Sequence, residues 1–303
     1  MAGSDHCGMN EIDRSSTDAA LRERIPLSFQ LLPKKLLSVL TGYLTQVSVP
    51  QRLVQAALRS FVRFYHVNVD EAARPLETFR SLNEFFTRDL RDGARPIGAG
   101  VVAPVDGAVS EFGSIDQGRL LQIKGLYYSA KELLSAPELG KQFESGFFIT
   151  FYLSPPDYHH AHMPVSGELD RLIHVPGQLW PVNSRAVCSV PGLFVENERV
   201  VFPITTTRGP VALVMVGALN VGAIGTPLCD FRSNRPSDLF RRRGAHAINL
   251  PARRTLEKGE RCGTFHLGST VVLLFGKDMV QPSERLKPGP ICLGENIGEL
   301  LTG

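Results

Sequence analysis

Cysteine is scarce in this 303-residue chain and follows no recognisable spacing. The five cysteines are odd in number, are scattered along the sequence and contain no C-x-x-C pair. This argues against a disulfide framework and against a four-cysteine zinc site, and it favours a reducing compartment. The five are Cys7, Cys188, Cys229, Cys262 and Cys292.

The sequence also lacks a large net charge and a long apolar run. A formal net charge of +3 gives no support to nucleic-acid binding, while 43% hydrophobic and 21% charged residues are typical of a globular protein. No stretch of roughly 18 apolar residues occurs, so no bilayer-spanning helix is expected. Acidic residues interrupt the N-terminus where a signal peptide would need its apolar core. Any contact with a membrane must then come from a segment that lies on its surface.

Three regions follow from the change of pattern along the chain. Residues 1–24 are polar and non-periodic, which predicts a disordered N-terminal tail. Residues 25–95 predict a helical membrane-associating region, and residues 96–303 predict a β-rich catalytic domain. The fold class expected is therefore α+β, a β-rich catalytic domain with an N-terminal helical membrane-docking region.

Two amphipathic helices are predicted in the second region. The first carries Leu36, Leu37, Leu40, Leu44 and Val47 at helical spacing, and the second begins near Pro50. An apolar stripe beside basic residues is typical of an interfacial helix, but an ordinary helix packed on the core has the same pattern. The apolar face of the second helix comprises Leu53, Val54, Ala57, Leu58, Phe61, Val62 and Tyr65.

Further along, local signals predict a short helix, many strands and one long loop. Ser81 followed by Glu84 forms a capping box, which predicts a helix start. After Pro96, apolar runs punctuated by Gly, Pro and Asp predict strands, with a hairpin turn at Arg208-Gly209. The polar, Arg-rich stretch 227–254 predicts a long loop.

Two places carry side chains suited to proton transfer. Asp106 precedes Gly107 in APVDG, which is either a common turn or a carboxylate that orients a histidine. His159, His160 and His162 lie within four positions in SPPDYHHAHMP. Such a cluster suits acid–base chemistry, a metal site or a purely structural role, and spacing alone does not decide among them.

The Gly268-Ser269 pair in LGST, directly before the apolar run VVLLF, is a third candidate. The simpler interpretation is a turn leading into a strand. The alternative is self-cleavage, in which the serine hydroxyl attacks the preceding carbonyl and converts the amide into an ester. Glycine leaves that carbonyl approachable, and a histidine oriented by an aspartate is the usual base.

Taken together and in this order, these motifs resemble the bacterial phosphatidylserine decarboxylases, which are self-processing pyruvoyl enzymes. The similarity extends from about Leu27 to about Phe275. It is carried by LNEFFTRDLRDGARPI, APVDG, QIKGLYYS, TFYLSPPDYHHAHMPVSG, VPGQLWPVN, LFVENERV, VGALNVGAI and EKGERCGTFHLGSTVVLLF. LGST alone is a weak signal, whereas the ordered set is specific.

The resemblance implies a role for each candidate residue. The family's processing triad falls on Asp106, His162 and Ser269, with His162 as the base for the Ser269 hydroxyl. His159 matches a second histidine implicated in the decarboxylation itself, and His160 receives no role. Cleavage between Gly268 and Ser269 would leave a covalent pyruvoyl group derived from Ser269, which forms a Schiff base with the substrate amine and accepts electrons as carbon dioxide leaves.

The same resemblance implies the partners and the location. The substrate would be phosphatidylserine, converted to phosphatidylethanolamine at an anionic membrane surface, with a peripheral position on the cytoplasmic face of the cell membrane. The chains 1–268 and 269–303 would stay associated, a homodimer is suggested, and neither a metal nor nucleic acid is expected. Two alternatives remain on residue patterns alone: a metal-dependent hydrolase built on Asp106, His159, His160 and His162, and a non-catalytic lipid-binding protein.

Overall fold

A computed structural model describes residues 50–123, 125–218, 223–234, 244–266 and 269–301 of the chain. The predicted tail 1–24, the first predicted helix, part of the Arg-rich stretch 227–254 and Gly268 lie outside the described residues. The division into regions 1–24, 25–95 and 96–303 stays a prediction.

The largest element is an antiparallel sheet of eight strands in the order β12-β7-β8-β9-β14-β5-β2-β16. Its central strands are apolar at almost every position, as expected for strands covered on both faces. In chain order its members are β2 Gly107–Ser114, β5 Phe147–Leu153, β7 Gly167–Val175, β8 Arg199–Thr206, β9 Gly209–Gly217, β12 His246–Leu256, β14 Ser269–Phe275 and β16 Gly289–Ile291.

Three smaller sheets complete the β-structure of the described residues. One has the order β11-β10-β13-β6, another the order β1-β17-β15, and the third is the hairpin β3-β4. Their strands are β1 Val101–Val102, β3 Arg119–Ile123, β4 Leu126–Ser129, β6 His160–His162, β10 Ile224–Thr226, β11 Phe231–Arg232, β13 Arg261–Phe265, β15 Val280–Pro282 and β17 Asn296–Leu300.

The helices are short apart from the first. They are α1 Gln51–Tyr65, α2 Leu82–Phe86, α3 Ala130–Leu134, α4 Pro137–Lys141, α5 Ser184–Ser189 and α6 Leu193–Glu196, with 3-10 turns at Val69–Glu71 and Leu76–Thr78. The prediction of a β-rich α+β protein is confirmed. Within the described part of the chain, no helix is long and apolar enough to cross a bilayer.

The large sheet separates two apolar cores. On one face Val271, Leu273 and Phe275 pack with residues of β6 and β13 from the four-stranded sheet. On the other face Val272 and Leu274 pack with apolar residues of α3 and α6. Alternating residues of β14 thus face opposite layers, which is the ordinary side-chain alternation of a strand.

Helix α1 begins directly after Pro50, as predicted, but only part of its predicted apolar face is covered. Val54 and Leu58 are buried against a small cluster containing Phe79 and Phe85. Leu53, in contrast, is 62% exposed. The helix therefore packs on the protein through one side and leaves another apolar strip uncovered.

The capping box at the start of α2 is confirmed. The Ser81 hydroxyl accepts a hydrogen bond from the Glu84 amide at 3.0 Å, and a Glu84 carboxylate oxygen accepts one from the Arg80 amide at 2.6 Å. The first contact satisfies an amide donor that the first turn of a helix cannot satisfy internally, and the second ties the Glu84 side chain to the residue before the N-cap. The helix is thereby fixed in place beside the histidine segment.

One prediction about secondary structure is wrong in part. The hairpin at Arg208-Gly209 is confirmed by the pairing of β8 with β9. The stretch 227–254, predicted as a loop, contains β11 and most of β12, which pairs with β7 at the edge of the large sheet. From His246 to Leu250, exposed residues alternate with partly or fully buried ones, and that alternation suits an edge strand with one solvated face.

Candidate active site

The predicted site residues lie at one end of the large sheet, where several of its strands begin or end. Strand β14 begins at Ser269, which pairs with Gly217 at the end of β9 and with Leu153 at the end of β5. Strand β2 begins at Gly107, directly after Asp106, and runs antiparallel to β5. The segment carrying the histidines follows β5. Four strand ends thus place residues far apart in sequence next to one another.

Gly107 is required for this close approach. Its φ is +142°, and a Cβ atom built on it would lie 2.2 Å from the carbonyl oxygen of Tyr152 in β5. Only glycine tolerates both the conformation and the contact. The residue therefore lets the Asp106 backbone reach the end of β5, where a turn leads to the histidines.

That turn is fixed by Asp157. One of its carboxylate oxygens accepts hydrogen bonds from the amide and the hydroxyl of Ser154, at 2.6 and 2.7 Å. Burial raises the pKa of Asp157, and these two hydrogen bonds oppose that rise. The turn directs the chain from β5 of the large sheet into β6 of the four-stranded sheet. It thereby determines where the three imidazoles lie.

His159 is fully buried with one ring nitrogen unpaired. Its Nδ1 donates to the carbonyl oxygen of Asp157 at 2.7 Å, and its ring lies 3.9 Å from that of Phe86. The Nε2 atom has no hydrogen-bond partner among the described residues. Burial lowers the pKa of His159 to about 3, so near neutral pH the ring is uncharged. Nε2 then carries a lone pair that can take up a proton.

His160 has both nitrogens occupied. Nδ1 accepts from the Thr264 hydroxyl at 2.8 Å, and Nε2 donates to the Thr87 carbonyl oxygen at 3.1 Å. The ring therefore ties β6 to β13 and to the end of α2. Burial lowers its pKa to about 4. These contacts fit a structural histidine.

His162 also has a defined tautomer. Nδ1 donates to the Gly259 carbonyl oxygen at 2.7 Å, which leaves Nε2 to accept from the Tyr158 hydroxyl at 3.2 Å. Burial lowers the pKa of His162, and the hydrogen bond to Gly259 opposes that change. Nε2 is thus the nitrogen that can act as a base, and the Tyr158 hydroxyl stands next to it.

Asp106 is held by a partner that the sequence did not indicate. Arg95 makes a bidentate contact with its carboxylate, with Nε–Oδ1 and Nη2–Oδ2 distances of 2.8 and 2.7 Å. The Leu293 amide adds a hydrogen bond to Oδ1 at 2.8 Å, and Arg95 Nη2 also donates to a carboxylate oxygen of Glu71 at 2.8 Å. Buried charges need such pairing to be tolerated.

Asp106 makes no direct hydrogen bond to His162 among the contacts of the described residues. The chain segments that carry Asp106 and His162 are nevertheless neighbours: the His162 amide donates to the carbonyl oxygen of Pro104, two residues before Asp106, at 2.8 Å. The negative charge of Asp106 also raises the pKa of His162, against the larger effect of burial. The contact between the two is thus electrostatic rather than a hydrogen-bonded pair.

The three-histidine metal cluster finds no geometric support. The ring nitrogens of His160 are taken up by Thr264 and Thr87, so it offers no lone pair beside those of His159 and His162. Across the described ranges no group of three or more His, Cys, Asp or Glu side chains is arranged to hold a metal ion.

Sequence reasoning missed Arg95 and Tyr158 as parts of the site. Both lie inside the quoted motifs, Arg95 in GARPI and Tyr158 in PDYHH, but the spacing of these residues does not indicate which side chain each of them contacts. The available signal for Arg95 was that an aspartate expected to be buried needs a cation beside it.

A serine at a strand start, two histidines whose pKa values are lowered by burial and a paired aspartate define a site for proton-transfer and nucleophilic chemistry. The sequence matches the family model for phosphatidylserine decarboxylase over residues 82–299. The chain belongs to the phosphatidylserine decarboxylase family.

Individual relatives show similarity along nearly the whole chain. The phosphatidylserine decarboxylase proenzyme of Stutzerimonas stutzeri is 42% identical over 90% of this chain and 93% of its own. The protein of the same name from Anaeromyxobacter is 41% identical over 92% of this chain and 99% of its own. That of Acidovorax ebreus is 44% identical over 88% and 93%. The word proenzyme in these names describes a precursor.

Proposed function

We propose that this chain is the precursor of an enzyme that converts phosphatidylserine to phosphatidylethanolamine and carbon dioxide. The proposal depends on one observation in a chain of this family: Ser269, the histidine segment and Asp106 all lie at the same end of the large sheet. The precursor cuts itself between Gly268 and Ser269, and Ser269 becomes a pyruvoyl group at the start of the smaller chain.

In the self-cleavage step, His162 removes the proton of the Ser269 hydroxyl as it attacks the Gly268 carbonyl carbon. The uncharged ring with an accepting Nε2 supports this role. The peptide bond becomes an ester, and β-elimination then releases the carboxylate of residue 268 and leaves a dehydroalanine at position 269. Water adds to the dehydroalanine and ammonia leaves, which gives the pyruvoyl chain end. Asp106 stabilises the charged form of His162 through its field, while Arg95 holds the carboxylate in place.

The surroundings of position 269 fit a pyruvoyl group. The buried His159 Nε2 lacks a partner among the described residues, and the paired strands β5 and β9 fix the chain end from both sides. The group, once formed, supplies a ketone that condenses with the substrate amine and takes up electrons as the carboxylate leaves.

His159 supplies the proton that the reaction consumes. Loss of carbon dioxide leaves a carbon that must be protonated, and Nε2 is the ring atom free to hold that proton. In the protein without substrate the ring is uncharged, because burial lowers the pKa of His159 to about 3. Entry of the anionic headgroup favours the charged ring, so proton uptake accompanies substrate binding.

The enzyme works as a peripheral protein on the cytoplasmic face of the cell membrane. Leu53 and Phe64 on α1 are 62% and 76% exposed, and they lie on one strip of the helix beside Arg52, Arg59 and Arg63. Apolar side chains flanked by arginines suit the boundary between acyl chains and anionic headgroups. This strip, defined by Leu53 and Phe64, is called the exposed α1 strip below.

Intact mass measurement of the purified protein tests the proposal. We expect two chains, 1–268 and 269–303, with the smaller one beginning in a ketone that reacts with a hydrazine. Ser269→Ala should yield only the uncut chain and no carbon dioxide from phosphatidylserine vesicles. A preparation that turns over substrate while still carrying serine at position 269 would contradict the proposal.

A further inference from the structure

A buried histidine–glutamate pair lies beyond the residues used so far. His174 Nε2 and Glu198 Oε1 are 2.8 Å apart, and the two side chains are 1% and 5% exposed. His174 belongs to β7, and Glu198 directly precedes β8. Glu198 lies within the block LFVENERV, and His174 directly precedes the block VPGQLWPVN, yet neither has a role in the steps described above.

The sheet register places Glu198 in one row with position 269. The Gly217 amide donates to the Glu198 carbonyl oxygen at 2.8 Å, and Gly217 pairs in turn with Ser269. Neighbouring strands lie about 4.8 Å apart, so the Cα atoms of residues 198 and 269 are separated by roughly 10 Å across a residue without a side chain.

Residues 198 and 269 also share a face of the sheet. Arg199 is directed to the opposite face, because its guanidinium donates to the Glu132 and Leu133 carbonyl oxygens of α3. Its neighbour Glu198 accordingly faces the other core. Position 269 alternates in step with Val271 of that same core.

The row is held in register by Asn197. Its Nδ2 donates to the Gly217 carbonyl oxygen at 2.8 Å and to the Trp180 carbonyl oxygen at 2.9 Å, and its Oδ1 accepts from the Trp180 amide at 2.8 Å. The Asn197 side chain thus continues the hydrogen bonding beyond Gly217, where β9 ends. The Glu198 carboxylate is therefore preorganised relative to β14 rather than free to move.

His174 holds only one of the two carboxylate oxygens of Glu198. Nδ1 of His174 is buried and has no hydrogen-bond partner among the described residues. Nε2 donates to Oε1 of Glu198, which leaves the carboxylate charge able to attract a cation through Oε2. Within the described residues, His174 is the side chain hydrogen-bonded to Glu198.

The surroundings strengthen the attraction of this charge for a cation. Leu179 and Ile224 cover Gly217, with side-chain atoms 3.5 and 3.9 Å from the position of a Cβ built there. An apolar cover lowers the local dielectric and makes charge pairing stronger than in water. A primary ammonium group, with three donors and a positive charge, fits such a carboxylate.

We propose that Glu198, held by His174, binds the ammonium group of the serine headgroup and sets the amino nitrogen beside position 269. This inference rests on the proposed function, because it takes an aminophospholipid as the ligand. It adds a specificity-determining residue: a headgroup without an amine loses the contact, and the amine is placed before any bond is made.

Binding to uncut protein tests the inference without relying on turnover. Dihexanoyl phosphatidylserine is titrated calorimetrically into the Ser269→Ala protein, with dihexanoyl phosphatidylglycerol as the ligand that lacks an amine. Adding Glu198→Gln should weaken binding of the serine lipid by about tenfold or more, since charge-assisted hydrogen bonds are lost, and leave the glycerol lipid unchanged. Glu198→Asp should restore part of the difference.

Glu168→Gln is the matched control, because Glu168 lies on β7 but is exposed and pairs with Arg253. Equal weakening for both lipids, or no preference for the serine lipid in protein that retains Glu198, would overturn the inference. With Ser269 restored, Glu198→Gln should still give the two chains by mass. If it stays uncut, Glu198 is structural and the inference is wrong, whereas an uncut parent protein would contradict the proposed function instead.

Discussion

At the scale of single residues, the three clustered histidines differ in what their ring nitrogens contact. Both ring nitrogens of His160 form hydrogen bonds that hold neighbouring segments together. In His159 and His162, Nδ1 donates to a carbonyl oxygen and Nε2 remains an acceptor. Anchoring Nδ1 fixes the tautomer and the ring orientation, which general acid–base chemistry requires. The same residue type thus serves two purposes within four positions.

Substituting the histidines one at a time should separate these purposes. His162→Gln should leave the chain uncut, and His159→Gln should give a cut but inactive enzyme. His160→Gln should be cut and active but less stable by about 1–3 kcal/mol, because buried hydrogen bonds are lost. Mass spectra, carbon dioxide release and urea unfolding measure the three properties. Full self-cleavage in His162→Gln would exclude His162 as the base.

Removing the cation that pairs with Asp106 should be costly. Arg95→Leu leaves a carboxylate that is only 5% exposed without its partner, and losing one member of a buried pair costs roughly 3–5 kcal/mol. Arg253→Leu is the matched control, since Arg253 and Glu168 form an exposed pair expected to contribute about 0–1 kcal/mol. Urea unfolding compares the two, and similar losses would refute the importance of burial.

How far the sequence reaches at this scale can be judged from the same residues. Order and spacing singled out Asp106, the histidines and Ser269, because their blocks are specific in combination. Pairings between residues distant in sequence, such as Arg95 with Asp106 or His174 with Glu198, were not predicted. They depend on which strands become neighbours, and local spacing carries no such information.

At the scale of elements, local signals succeeded where the cause is local. The start of α1 after Pro50 and the capping box of α2 follow from backbone requirements within a few residues. Strand β12 was missed because its arginines suggested a loop, although pairing with β7 at a sheet edge leaves one face solvated. Charged residues are common on such edges.

The exposed α1 strip should carry the attachment to membranes. Leu53→Glu with Phe64→Glu is expected to reduce sedimentation with anionic vesicles strongly, because both apolar contacts are lost and two negative charges meet an anionic surface. Urea unfolding should change little, since both side chains are exposed.

The matched control introduces the same charges at other exposed apolar residues, Tyr127 and Leu301, which are 54% and 38% exposed. Tyr127→Glu with Leu301→Glu should sediment as the parent protein does. Equal loss in both double variants would show that added charge, rather than this helix, explains the result.

At the scale of the whole molecule, buried histidines should make the protein sensitive to acid. Burial lowers the pKa to about 3 for His159 and to about 4 for His160 and His266. In the unfolded chain these groups take up protons below their ordinary pKa of about 6.5. The folded state therefore loses stability as the pH falls from that value toward the folded pKa values, by up to about 1.4 kcal/mol per pH unit for each histidine.

Burial raises the pKa values of Asp157 and Glu111, so these groups oppose the histidines in the pH dependence of the whole protein. Comparing His266→Gln with the parent protein isolates the contribution of one histidine. The free energy of unfolding in urea, measured at pH 7, 6 and 5, should fall less steeply in the variant than in the parent. Parallel pH dependences in the two proteins would rule out the contribution of His266.

The position of β14 predicts how the molecule behaves after it has been cut. Strand β14 lies between β5 and β9 inside the eight-stranded sheet, and Val271, Val272, Leu273, Leu274 and Phe275 are fully buried. Cleavage before Ser269 removes a covalent connection but no hydrogen bond between these strands. Chain 269–303 should therefore remain bound to chain 1–268 and leave it only when the whole sheet unfolds.

Such unfolding releases two molecules where the uncut chain releases one, so mass action makes the stability of the cut protein depend on concentration. The urea midpoint of the mature protein should rise with protein concentration, while that of Ser269→Ala should not. Size-exclusion chromatography below the midpoint should recover both chains in one peak. Separation of the chains in native buffer would contradict the central position of β14, because its apolar residues would then have to enter water without unfolding the sheet.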